Sequence, residues 1–83
     1  MFINKTANGR NNVCGIMVAR LRTAEGISQR ELADRLQRDR LDVDKNAVQR
    51  IESGQRFVTD IELLHLRTVL HTSLAELLCC EVQ

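Results

Sequence analysis

Eighty-three residues, 43% hydrophobic and 28% charged, predict a single domain with a modest core in which each apolar position counts. Only Phe2 and Phe57 are aromatic, which argues against a single-strand nucleic-acid binder, because such proteins stack bases on several aromatic platforms. A net charge of +1 points to no partner by itself, so the placement of charge matters more than its total.

The basic side consists of ten arginines and two lysines, and arginine suits bidentate contacts to phosphate and guanine. The absence of proline and the low glycine content suit helices. Cys14, Cys79 and Cys80 contain no Cys-x-x-Cys spacing. They are expected to be reduced thiols of a cytoplasmic protein, with a redox or metal role as the alternative. The first residues lack the long apolar stretch of a signal peptide, and no segment is apolar enough to span a membrane.

Residues 1–12, MFINKTANGRNN, are polar and are expected to form a flexible N-terminal arm, leaving residues 13–80 as the folded domain. From Val13 a helical period places Val13, Ile16, Met17 and Leu21 on one face. Glu25–Gly26 ends that helix, with glycine where a left-handed cap is wanted. Ser28 and Glu31 then predict a capping box, with Ile27 and Leu32 as its hydrophobic staple. This second helix is expected to bury Leu32, Ala33 and Leu36. After a polar stretch from Gln37 to Asp42, interrupted by Leu41, a third helix should run from Asp44 to Glu52. Asp44 caps it, Val43 and Val48 staple it, Val48 and Ile51 face inward, and Ser53–Gly54 stops it. Thr59 with Glu62 and Ser73 with Glu76 are two further capping boxes. They open a fourth helix, expected to bury Ile61, Leu64, Val69 and Leu70, and a short fifth carrying Leu74, Leu77 and Leu78. No strand pattern, repeat or low-complexity segment interrupts this all-α reading.

In the third helix, at about 100° per residue, Asp44, Ala47, Val48 and Ile51 fall on one side and Lys45, Asn46, Gln49 and Arg50 on the other. The outer set has no apolar member. It holds the types that read base edges in the major groove, Arg or Lys for guanine and Asn or Gln for adenine. A solvated helix face is the alternative.

The segments RLRTAEGISQRELADRL, NAVQRIESGQR and TDIELLHLRTVLHTSLAELL together resemble the phage repressor/Cro-type helix-turn-helix family, over about Gly15 to Leu78. The resemblance implies a five-helix, repressor-like DNA-binding domain. It implies base contacts from Lys45, Asn46 and Arg50, with Gln49 a further candidate. It also makes Gln29 a phosphate-contacting position, although a good first-turn residue reads the same way. Gln55 and Arg56, just past the recognition helix, would lie over the DNA backbone. An ion pair between Arg22 and Glu52 is implied as well, joining the first helix to the end of the third.

Two features depart from the family pattern. Six residues separate Leu36 from Val43, more than the usual short turn, so a longer second helix or a longer connection is expected. Arg38 and Arg40 in this stretch either reach phosphates or belong to a solvated loop. Asp39, Asp42 and Asp44 surround the start of the recognition helix, where carboxylates repel phosphates, so each protomer should bind modestly and a homodimer would restore affinity.

His65 and His71 lie six apart, which is no ligand spacing on a helix, and no nucleophile set or glycine-rich phosphate loop occurs. Neither an enzyme nor a metal or cofactor site is expected. The expected function is sequence-specific regulation of transcription on double-stranded DNA, as a homodimeric repressor in the cytoplasm. Leu74, Leu77 and Leu78, with Cys79 and Cys80, either form the dimer surface or finish the core. The alternative function is a protein-interaction module, such as an antitoxin-type partner, using the arm at residues 1–12.

Overall fold

The computed structural model describes residues 5–78, which form five helices and no strand. These are α1 (Gly15–Ala24), α2 (Gln29–Arg38), α3 (Lys45–Ser53), α4 (Asp60–Val69) and α5 (Leu74–Leu77). Cys79 and Cys80 lie outside the described residues.

Four helices start on a side-chain cap. Ser28, Asp44, Thr59 and Ser73 are extended, and their side chains accept the backbone N–H of Glu31, Ala47, Glu62 and Glu76. Each cap satisfies a donor with no partner inside the helix. Of the three expected capping boxes, only the one at Thr59 closes, with Glu62 Oε1 accepting the Thr59 N–H at 3.0 Å. Glu31 instead pairs with Arg35 and Arg38, and Glu76 accepts the hydroxyl of Thr72. A guanidinium attracts a carboxylate more strongly than a neutral amide does, so Glu31 goes to the arginines.

The end of α2 shows how the long connection is accommodated. The helix runs to Arg38, and Arg40 takes the left-handed conformation at φ +72°. The N–H of Leu41 then reaches Leu36 O at 2.9 Å, and that of Arg40 reaches Gln37 O at 3.0 Å. This is a Schellman ending built on a residue with a Cβ, where glycine is usual. Gln37 Nε2 donates to Val43 O at 2.7 Å, and Asp39 Oδ2 lies 2.7 Å from His65 Nδ1 on α4. The extra residues thus form a braced turn. Replacing Arg40 by glycine should relieve about 1–2 kcal/mol of left-handed strain against an entropic cost of about 0.5–1 kcal/mol. A net gain of about 0.5–1 kcal/mol is expected in denaturant unfolding, and a loss would contradict this account.

Helix α3 packs on both α1 and α2, α4 packs on α2, and α5 closes against α4 and α1. Leu32, Ala33, Leu36, Val43, Ala47, Val48 and Ile51 are all buried, as their periodicity predicts. Two helices are turned relative to expectation. On α1 the core takes Val18, with Cys14 just before it, whereas Ile16 is 39% exposed and Val13 and Met17 are only partly buried. The sequence GIMVARL offers apolar residues on several sides, so periodicity does not choose one. Gly15 chooses, because it must face α3: a Cβ there would lie 2.0 Å from Ile51 O. On α4 the core takes Leu66, Val69 and Leu70, with Leu63 packed against it. Ile61 and Leu64 are 63% and 44% exposed. This helix carries two apolar stripes, and the one that meets α2 and α5 is Leu63–Leu66–Leu70.

On α5 Leu77 is fully buried, Leu74 is partly buried and Leu78 is 42% exposed. Cys14 is 1% exposed, and burial pushes its thiol up to about 11, so it stays protonated at neutral pH. It behaves as a small core hydrophobe.

The contacts do not begin at residue 13. Arg10, Asn11 and Asn12 hydrogen-bond to the end of α3 and the residues just after it, and Asn12 is buried. The last three residues assigned to the polar arm therefore pack with the domain.

Candidate nucleic-acid interface

Helix α3 is fixed at both ends and along one side. Asp44 Oδ1 accepts the Ala47 N–H at 2.8 Å, which fixes its first turn. Gly54, at φ +86°, ends it, with the Gln55 N–H on Arg50 O at 2.9 Å. Ala47, Val48 and Ile51 are buried, which leaves Lys45, Asn46, Gln49 and Arg50 together on the exposed side. No apolar residue interrupts that face. A cleft between α2 and the start of α3 is lined by Arg30, Asp34, Gln37, Asp44, Lys45 and Asn46, so the outer face continues onto α2.

The inner edge of α3 is tied down by charge. Glu52 Oε2 accepts Arg22 Nε at 2.6 Å, and its Oε1 accepts Arg22 Nη2 at 3.1 Å and Gln29 Nε2 at 3.0 Å. Arg22 also donates to Ile27 O at 2.8 Å. The bidentate pair raises the Arg22 pKa, chiefly through the hydrogen bond to Glu52. One carboxylate thus links α1, α2 and α3, which sets how the outer face of α3 projects from the domain.

A sequence profile of the helix-turn-helix family, of the Cro/C1 type, matches residues 18–77. The chain belongs to this family. The helix-turn-helix domain is also similar to a solved structure, the restriction-modification controller protein C.AhdI from Aeromonas hydrophila. The two share 36% sequence identity and superpose with a TM-score of 0.67, over 77% of this chain and 86% of that one. No curated protein matches. The chain is a sequence-specific, DNA-binding transcription regulator, and the protein-interaction alternative is not favoured. Among its described residues, no helix is long and apolar enough to cross a membrane.

Within the helix-turn-helix, the four expected base-contacting residues stand side by side, whereas the three expected phosphate contacts differ in their surroundings. Gln29 is partly buried and its amide donates to Glu52, a partner the sequence did not indicate. Gln55 is exposed. Arg56 is 30% exposed and donates to both carboxylate oxygens of Glu62, at 3.0 and 2.9 Å, so a phosphate would have to compete for it. Arg38 pairs with Glu31 at 3.2 Å, and Arg40 is exposed. Of the three nearby aspartates, Asp44 is the helix cap and Asp39 is engaged with His65, which leaves Asp42 exposed.

Sequence reading missed two residues that hold the recognition helix. Asn12 Oδ1 accepts the Gly15 N–H at 2.8 Å and Nδ2 donates to Ile51 O and Arg56 O at 3.1 and 2.7 Å. Asn12 lies two residues ahead of the cap position, which Cys14 holds without a side-chain bond, so cap reading does not find it. Arg10 Nη2 donates to Glu52 O at 2.8 Å, a contact across 42 residues that leaves no local signature.

Proposed function

We propose that this regulator reads a near-palindromic operator as a homodimer in the cytoplasm, and represses by occupying it. Lys45, Asn46, Gln49 and Arg50 contact base edges in the major groove. Gln55, Arg56 and the start of α2 at Gln29 contact phosphates, the last through first-turn backbone N–H groups. The observation that carries this reading is the rigidly held α3 with its uninterrupted polar outer face.

A homodimer is supported by two features. The net charge of +1 gives a single protomer little general attraction to DNA, so coupling two half-sites supplies the missing affinity. Phe57, Ile61 and Leu64 leave apolar side chains exposed before and along the start of α4. Repression needs only occupancy, and no catalytic step belongs to this reading. The likeness to a restriction-modification controller supports the genes of such a system as the regulated locus.

Selection of bound duplexes from a random double-stranded pool, near physiological salt, tests the proposal. A two-fold-symmetric motif with half-sites about 34 Å apart is expected. An asymmetric single motif would remove the homodimer, and no enrichment by folded protein would remove base readout. Arg50→Ala should weaken binding to the selected motif by about 1–3 kcal/mol and relax one base position. Equal losses on motif and random DNA would show that Arg50 is not a base reader.

A further inference from the structure

Three residues ahead of α1 take up a run of carbonyls at the far end of α3. The Arg10 guanidinium donates to Glu52 O at 2.8 Å and approaches Ile51 O at 3.5 Å. The Asn11 N–H donates to Gly54 O at 2.7 Å and its side chain to Gln55 O at 2.8 Å. Asn12 takes Ile51 O and Arg56 O with one end of its amide and the Gly15 N–H with the other. The carbonyls at a helix end lack partners inside the helix and carry its negative pole, which a cation favours.

The slot that receives Arg10 exists only because two residues lack side chains. A Cβ on Gly15 would lie 2.5 Å from Arg10 Nη2, and one on Gly54 would lie 2.8 Å from Arg10 Cζ. The guanidinium is therefore threaded between the start of α1 and the end of α3. Gly54 has a second reason to be glycine, its φ of +86°.

The geometry points to Arg10–Asn12 as a clasp that sets the tilt of the recognition helix, making Arg10 a positioning residue for base readout. The inference rests on the base-reading role proposed for α3. Core packing and the Asp44 cap hold the helix along one side and at its start, and the Glu52 side chain ties its last turn to α1 and α2; the clasp holds the backbone carbonyls of that turn, from which Arg50 projects. At about 1.5 Å rise per residue, nine residues span about 13 Å, and a tilt of about 10° would carry the far end about 2 Å. Binding constellations tolerate about 0.5 Å, so such a tilt would misalign Arg50 and Gln49 while leaving the overall charge near the DNA unchanged.

The test compares wild type with Arg10→Met, which keeps an unbranched apolar stem and removes the guanidinium with its donors and charge. Affinity is measured on the selected motif duplex and on random duplex, well below the unfolding midpoint of either protein. The motif-to-random ratio should fall about ten-fold or more, the cost of misaligning one bidentate base contact. Arg10→Lys, which keeps the cation on a single donor nitrogen, should recover part of that ratio. The number of phosphates neutralised, read from the salt dependence, should not change.

Equal losses on both duplexes, with the salt slope smaller by about 0.9, would make Arg10 a phosphate contact and overturn the proposal. An unchanged ratio would overturn it too. If Arg10→Met does not fold, Asn11→Ala removes the side-chain bond to Gln55 O, along with the exposed one accepted from Lys5 Nζ, and is judged by the same ratio. Failure of the wild-type protein to select any motif is a different result, visible before any variant is made, and it would remove base readout and the clasp's role in it together.

Discussion

Gly15→Ala is expected to destabilise the domain by about 3 kcal/mol or more, the upper end of what overpacking costs. Helix propensity alone gives the opposite sign, since alanine is favoured over glycine in a helix interior by about 1 kcal/mol. The contact wins because the space is already filled. The new Cβ would lie 2.0 Å from Ile51 O, 2.5 Å from Arg10 Nη2 and 2.8 Å from Asn12 Oδ1. The first of these is backbone of the recognition helix, so relief requires α1 and α3 to separate. Separation would also break the bonds that Asn12 makes to both helices. Urea unfolding monitored by helical circular dichroism measures the change directly. A midpoint equal to or above that of wild type would mean that the close approach of α1 to Ile51 is not a feature of the folded protein.

Loss of the Glu52 carboxylate is the second large effect. Glu52→Ala should cost about 3 kcal/mol, at the lower end for breaking a buried ion pair because the pair is not fully buried. The carboxylate side chain is 9% exposed and that of Arg22 18% exposed. Truncation leaves the Arg22 guanidinium with Ile27 O and without its counter-charge, and it strands the Gln29 amide. Replacing both Arg22 and Glu52 by methionine should cost less than Glu52→Ala, because an apolar pair leaves no charge unpaired. Chemical denaturation of the single and double variants gives the comparison. A Glu52→Ala cost below about 1 kcal/mol, the range of exposed pairs, would show that this link contributes little to the position of α3.

Much of this fold is written in short-range chemistry. Ser28, Asp44, Thr59 and Ser73 cap their helices through bonds that span three residues, and Gly26 and Gly54 end theirs with a positive φ. The outer face of α3 follows from the same local rule: once Val48 and Ile51 are buried, 3.6 residues per turn place Lys45, Asn46, Gln49 and Arg50 outside. Arg22 and Glu52 were expected to pair only because the chain resembles a known family, and the structure joins them at 2.6 Å.

What periodicity could not decide is which of two apolar stripes meets a neighbour. α1 could bury Ile16 or Val18, and α4 could bury Leu64 or Leu66, with equal local merit. The choice belongs to the partner surface: Gly15 has to admit the Ile51 carbonyl, and Leu63, Leu66 and Leu70 have to meet the core. The same holds for polar side chains with several possible partners. Arg56 is drawn to Glu62, Gln29 to Glu52 and Arg10 to the end of α3. By itself the sequence determined the five helices, their caps and the polar face of α3, because those depend on residues three or four positions apart. The tertiary structure alone decided the rotation of α1 and α4 and the joining of Arg10–Asn12 to the recognition helix. Contacts across 39 to 44 residues form only when distant surfaces meet, and no local pattern encodes them.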